Sequence, residues 1–117
     1  MQLKPINQQV VSVVGASSGI GRETALQFAR RGAKVVVSSR SEPKLNSLVD
    51  EIRASGGEAT AIVADVEVFD QVKAISDRSV EVYGRLDTWV HCPAIAVFAT
   101  FDNTTPEEFQ RVVNVNL

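Results

Sequence analysis

Cysteine, histidine, tyrosine and tryptophan each occur once in these 117 residues. Cys92 alone forms no intrachain disulfide, which suits a reducing compartment and leads us to expect a cytoplasmic protein. His91 and Cys92 are adjacent but have no further ligands near them in the sequence, so no metal site is expected. No apolar run reaches the roughly 18 residues of a membrane span, and Met1 to Gln9 lacks the apolar core of a secretory signal. Positive charge is not in excess. Twelve Lys and Arg face 14 Asp and Glu, for a net charge of −2, which excludes bulk-charge attraction to nucleic acid or to an anionic membrane. The one adjacent basic pair, Arg30-Arg31, falls at the end of a helical pattern, where the helix dipole favours it.

What is present is apolar and regularly spaced. Hydrophobic residues make up 44% of the chain, enough for the core of a single domain over residues 1–117. Four apolar runs, Val10–Val14, Lys34–Ser38, Ala59–Ala64 and Thr88–Cys92, lack strict alternation and so read as strands covered on both faces. Helical patterns separate them. The first spans Gly19 to Arg31, with Ile20, Thr24, Ala25, Phe28 and Ala29 on one face and Gly32 as its stop. The second spans Pro43 to Ser55, with Leu45, Leu48, Val49 and Ile52 inward, Ser41 as its cap and Gly56-Gly57 beyond its end. The third spans Phe69 to Tyr83, with Val72, Ile75 and Val82 inward and Gly84 after its end. Thr105-Pro106-Glu107-Glu108 starts a fourth through a capping box, with Phe109, Val112 and Val113 toward the core. Strict β-α alternation implies an α/β fold: a parallel sheet with right-handed crossovers.

Between the first strand and the first helix stands Gly15-Ala16-Ser17-Ser18-Gly19-Ile20-Gly21. Gly15 permits a sharp turn and keeps a side chain out of the cofactor's way. Gly19 permits close backbone approach, and Gly21 lets the helix pack near the sheet. Strand, glycine turn and helix in that order form a cradle for a dinucleotide pyrophosphate, with Ser17 and Ser18 as added donors. The plainer alternative is a glycine-rich connection that binds nothing. The second strand ends at Ser38-Ser39-Arg40, with no acid to grip the ribose hydroxyls. Ser39 and Arg40 suit a ribose 2′-phosphate, favouring NADP(H) over NAD(H), unless Arg40 merely solvates its loop. Asp65, after the third strand, suits either an adenine contact, shared with Val66, or a helix N-cap.

These motifs resemble the N-terminal half of a short-chain dehydrogenase/reductase, over Val10 to Leu117. The glycine turn matches the family's most specific mark, and Asp65-Val66 matches its adenine site. Val113-Asn114-Val115-Asn116-Leu117 matches its fourth-helix segment. The resemblance implies a Rossmann-type half-sheet of order 3-2-1-4, an NAD(P)(H) cofactor, and oxidation of alcohols or reduction of carbonyls. It places Asn116 on the catalytic asparagine, whose backbone helps to hold a water of the proton relay. It also aligns His91-Cys92-Pro93-Ala94 with the family's Asn-Asn-Ala-Gly, so that Cys92 and Ala94 border the cofactor.

The chain departs from the pattern in three places. Val14 replaces a threonine before the first glycine, and Cys92-Pro93 replaces Asn-Ala. No Tyr-x-x-x-Lys is present, since Tyr83 is followed four residues on by Asp87. Without that pair no side chain protonates a carbonyl oxygen at neutral pH, so this stretch alone is expected to be inactive. The last helical pattern runs to Leu117 with no stop signal, which reads as a truncated piece of a larger domain. The fourth strand, apolar at Trp89 and Val90, is expected at a sheet edge, where it or the last helix would self-associate. The alternative function is then a non-enzymatic Rossmann scaffold.

Overall fold

A computed structural model describes residues 2–117. After a short 3-10 turn at Ile6–Gln8, the elements run β1 (Val10–Val14), α1 (Gly19–Arg30), β2 (Lys34–Ser39), α2 (Glu42–Ala54), β3 (Glu58–Val63), α3 (Phe69–Tyr83), β4 (Thr88–His91) and α4 (Pro106–Asn116). The strands form one sheet of order β3-β2-β1-β4 with every pairing parallel. Register aligns Val14 with Ser38 on one side and with His91 on the other, which brings three strand ends to one level.

Both faces of the sheet are covered, and this is why its valines run consecutively instead of alternating. On one face Val11, Val13, Val35 and Val37 meet α1 and α2 through Ala25, Leu26, Leu45, Leu48 and Ile52. On the other, Val14 and Val36 meet Ala64 and Ile75. Leu45, Leu48 and Ile52 are fully buried, each contributing ~1.5–3 kcal/mol of apolar transfer. Beneath α3 lies one polar contact, Ser12 Oγ to Ser79 Oγ at 2.9 Å, and the Ser79 hydroxyl also bonds Ile75 O at 2.9 Å. Strand β4 is the edge expected from the sequence, and there burial falls to alternation, with Trp89 37% exposed.

The helix faces need correction. Ile20 is 81% exposed, because it sits in the first turn of α1, ahead of the sheet. The buried stripe is Gly21, Ala25, Leu26 and Ala29. On α3 the buried stripe is Ile75 and Ser79, with Val82 turned outward; the serine is admitted because Ser12 satisfies it. On α4 the buried residue is Val115, while Phe109 is 63% exposed. The two are six residues apart, about a third of a turn away around a helix. The Thr105 capping box forms, with Glu108 N–H donating to Thr105 Oγ1 and Thr105 N–H to Glu108 Oε2. Ser41 occupies the N-cap of α2 but makes no side-chain cap bond. Among the described residues no helix is long and apolar enough to cross a membrane.

Candidate functional site

The carboxyl ends of all four strands open into one crevice of about 540 Å³. Val14-Gly15, Ser39-Arg40, Ala64-Asp65 and Cys92-Pro93 bring one strand end each to its walls, and Ser17, Ser18, Ile20 and Gly21 supply the turn. A second groove of about 300 Å³ lies at the opposite ends, where β2 and β3 begin at Lys34 and Glu58. Open parallel sheets bind ligands outside the carboxyl ends of their strands, so the first cavity is the candidate.

The glycine turn builds its floor. Gly15 has φ +80°, and its N–H and that of Ala16 both donate to Ser38 O, at 2.8 and 3.0 Å. A Cβ on Gly15 would meet Pro93 N at 2.6 Å and Cys92 C at 3.0 Å. Gly15 therefore makes room for the β4 loop, and it also lines the crevice. Gly21 packs tighter still, since a Cβ there would lie 2.0 Å from Gly15 O. Gly19 is the one with clear space, with φ +57° and nothing within 4 Å of its Cβ position.

Helix α1 begins without a cap. Ser18 makes no side-chain cap bond, the first turn holds no acid, and the first helical bond is from Arg22 N–H to Ser18 O at 3.3 Å. The N–H groups of Gly19, Ile20 and Gly21 are left as the orphan donors of a helix start. Together with the helix dipole they attract an anion. A dinucleotide pyrophosphate fits this donor set, and Ser17, Ser18, Ile20 and Gly21 bring it to the crevice wall, while the Cβ side of Gly19 is open and Gly19 itself does not line the crevice.

The other strand ends add specific groups. At β2, Ser39 is 9% exposed and accepts Ser41 N–H on its Oγ at 3.1 Å. Among the described residues no acid lies within ion-pair distance of the exposed Arg40. At β3, the half-buried Asp65 accepts Glu67 N–H on Oδ1 at 2.9 Å, and its own N–H donates to Gln71 Oε1 at 2.7 Å. This is a local Asx turn. Helix α3 starts four residues later behind Val68, so Asp65 is not the N-cap. Val66 lines the crevice beside it.

The β4 end is strapped to both neighbours. Cys92 N–H donates to Val14 O at 2.9 Å. The Asn116 side chain brackets the Ile95 main chain, accepting its N–H and donating to its O, both at 2.9 Å. His91 Nε2 meets Val115 O at 3.0 Å, a strand-end contact, as its isolation in the sequence suggests. Cys92 and Pro93 are half-buried and Ala94 is exposed, all three on the crevice wall. Tyr83 stands away from the crevice. Burial pushes its phenol above the ordinary value, and the Lys34 ammonium lies 5.8 Å from its ring centre.

Lys44, Glu67 and Arg111 also line the crevice, and sequence reasoning did not find them. All three sit on polar helix or loop faces that periodicity treats as solvated. For Lys44 a signal existed: it lies in the first turn of the helix that follows Arg40.

A family model described as short chain dehydrogenase matches residues 9–117. The chain is 38% identical over 116 residues to an uncharacterized oxidoreductase of Bacillus subtilis, covering 99% of this chain and 33% of that protein. It is 39% identical over 109 residues to a trihydroxynaphthalene reductase of Pestalotiopsis fici, covering 92% of this chain and 39% of that one. Among solved structures, a short chain dehydrogenase from Mycobacterium avium superposes with a TM-score of 0.91 at 38% identity, covering 97% of this chain and 42% of that chain. The chain thus spans from a third to two fifths of the length of these relatives. Sheet order, glycine turn and matched residues agree: this chain belongs to the short-chain dehydrogenase family.

Proposed function

We propose that this chain is the NADP(H)-holding half of a cytoplasmic oxidoreductase that moves a hydride between nicotinamide and a carbonyl or alcohol carbon. The observation that carries the reading is the uncapped start of α1 facing the same crevice as the unpaired Arg40. When bound, the dinucleotide supplies the hydride chemistry, and the protein supplies position. Gly19, Ile20 and Gly21 offer N–H donors to the pyrophosphate, with Ser17 and Ser18 beside them and Gly15 shaping the turn. Ser39 and Arg40 hold the 2′-phosphate, Asp65 and Val66 border the adenine, and Cys92 and Ala94 border the nicotinamide side. Asn116, its side chain committed to Ile95, fixes α4 so that its own backbone can hold a water. With no Tyr-x-x-x-Lys among its residues, this stretch holds the cofactor without turning it over by itself.

The test is Arg40→Asp in the full chain, read by cofactor fluorescence. NADPH affinity should fall by about tenfold or more, the scale of a charge-assisted bond, while NADH affinity holds or rises. Equal loss for both cofactors refutes the phosphate assignment.

A second reading has its own observation. Strand β4 is unpaired on its outer edge and Trp89 is 37% exposed, while Phe109 and Leu117 stand out from α4. As a scaffold the chain would self-associate through that edge or that helix. A clean monomer at all concentrations in sedimentation removes this reading.

A further inference from the structure

We infer that Lys44 is a second cation of the 2′-phosphate site, setting the preference for NADP(H) together with Arg40. The inference rests on the dinucleotide reading and deepens it.

Of the five basic side chains with no acidic partner among the described residues, Arg31, Lys34 and Arg53 lie away from the crevice, and the others of the chain are engaged. Arg22 pairs with Glu51, Arg30 with Glu23, Lys73 with Asp77, Arg78 with Glu81, Arg85 with Asp87 and Arg111 with Glu67. Arg40 and Lys44 have no acidic partner among the described residues, and both line the crevice. Both are exposed, so in the empty crevice water answers their charges, and a dianion between them would be answered by both.

The backbone directs them together. Lys44 stands in the first turn of α2, three residues after its N-cap Ser41. Helical Cα–Cβ bonds tilt toward the N-terminus, so its stem leans back toward Ser41 and Arg40. The acid of that turn, Glu42, does not line the crevice.

A third group points the same way. Ser39 is 91% buried at the crevice, the complement of its 9% exposure. Its Oγ accepts Ser41 N–H, and its own O–H donates to no protein acceptor among the described residues. A buried hydroxyl with an unused proton, flanked by two free cations, is a donor set for a dianionic monophosphate. A bare ribose hydroxyl would leave both charges to water.

The experiment compares full chains carrying Lys44→Ala and Lys44→Arg with the parent, by fluorescence titration with NADPH and NADH. The shorter probes adenosine 2′,5′-bisphosphate and ADP are titrated calorimetrically. Lys44→Ala should weaken NADPH and the bisphosphate roughly fivefold to tenfold, an exposed charge contributing less than a buried one. NADH and ADP should stay within twofold, and Lys44→Arg should keep the parent's preference. The salt dependence of NADPH binding should also be shallower in Lys44→Ala. NADPH and bisphosphate affinities in Lys44→Ala within twofold of the parent's overturn the role of Lys44 and leave Arg40 standing. A parent with no preference overturns the 2′-phosphate reading itself.

Discussion

Replacing Gly21 with alanine tests whether the glycine turn is locked by packing. Backbone strain is not at issue, because Gly21 is not among the positive-φ glycines. The added carbon would lie 2.0 Å from Gly15 O and 3.2 Å from Cys92 Cβ. A relaxed carbon–oxygen contact needs about 3.3 Å, so α1 and the turn must part by about 1.3 Å. Gly15 has nowhere to go. Its N–H is held by Ser38 O at 2.8 Å, and Pro93 closes the space on its other side. Overpacking against fixed backbone costs about 3 kcal/mol, the upper part of the usual range. For a domain of this size that is a drop in Tm of roughly 10–20 °C. Urea unfolding followed by circular dichroism reads the free-energy loss, and a thermal scan reads the Tm. Gly19→Ala is the contrast. It meets nothing within 4 Å but sits at φ +57°, so its stability loss should be only ~1–2 kcal/mol. Leaving φ +57°, however, would turn away the Gly19 N–H assigned to the pyrophosphate, so NADPH and NADH should both bind at least tenfold more weakly. A Gly21→Ala midpoint within error of the parent, or a Gly19→Ala chain that binds cofactor normally, would refute the reasoning.

Two further outcomes follow from polar contacts that tie elements together. Asp87 Oδ2 accepts Val10 N–H at 2.9 Å, while Oδ1 meets Arg85. The Val10 bond and then Arg85 hold its carboxyl below the ordinary 3.8. A carboxylate lowered by folding stabilises the protein above its unfolded pKa, and that stability is lost as pH falls through the folded value. Asp87→Asn should therefore flatten the loss of stability between about pH 5 and pH 2; urea midpoints at several pH values check it, and an unchanged slope counts against the contact. Ser79→Ala removes the partner of Ser12 Oγ, which is fully buried, and should lower stability by ~1–3 kcal/mol. The double change Ser12→Ala with Ser79→Ala should recover part of that loss, and simple additivity in the cycle would show that the two hydroxyls are not coupled.

The fold was legible because the sheet is covered on both sides. Such strands run as consecutive valines, so Val10–Val14 and Lys34–Ser39 could be placed to within a residue, and glycines marked the helix ends at Gly32 and Gly84, both at positive φ. Helix faces were less legible. Apolar periodicity assigned Ile20, Val82 and Phe109 inward. It passed over Ser79, whose burial depends on a partner 67 residues away in the sequence. Most of the crevice was legible, since turn chemistry is local. What was not legible came from elements meeting in space. The clearance assigned to Gly15 depends on Pro93, 78 positions later, and the double bond from Asn116 to Ile95 depends on where α4 docks. Lys44 was hidden because a lysine on a polar helix face looks solvated until the crevice is seen beside it.

The most direct test of the central claim is a titration of the full chain with NADPH, followed through backbone amide resonances. The account predicts saturable binding, tighter than for NADH, with the largest shifts at the N–H groups of Gly19, Ile20 and Gly21. An intact fold with no saturation at millimolar NADPH would contradict it, as would shifts confined to the groove at the opposite ends of the strands.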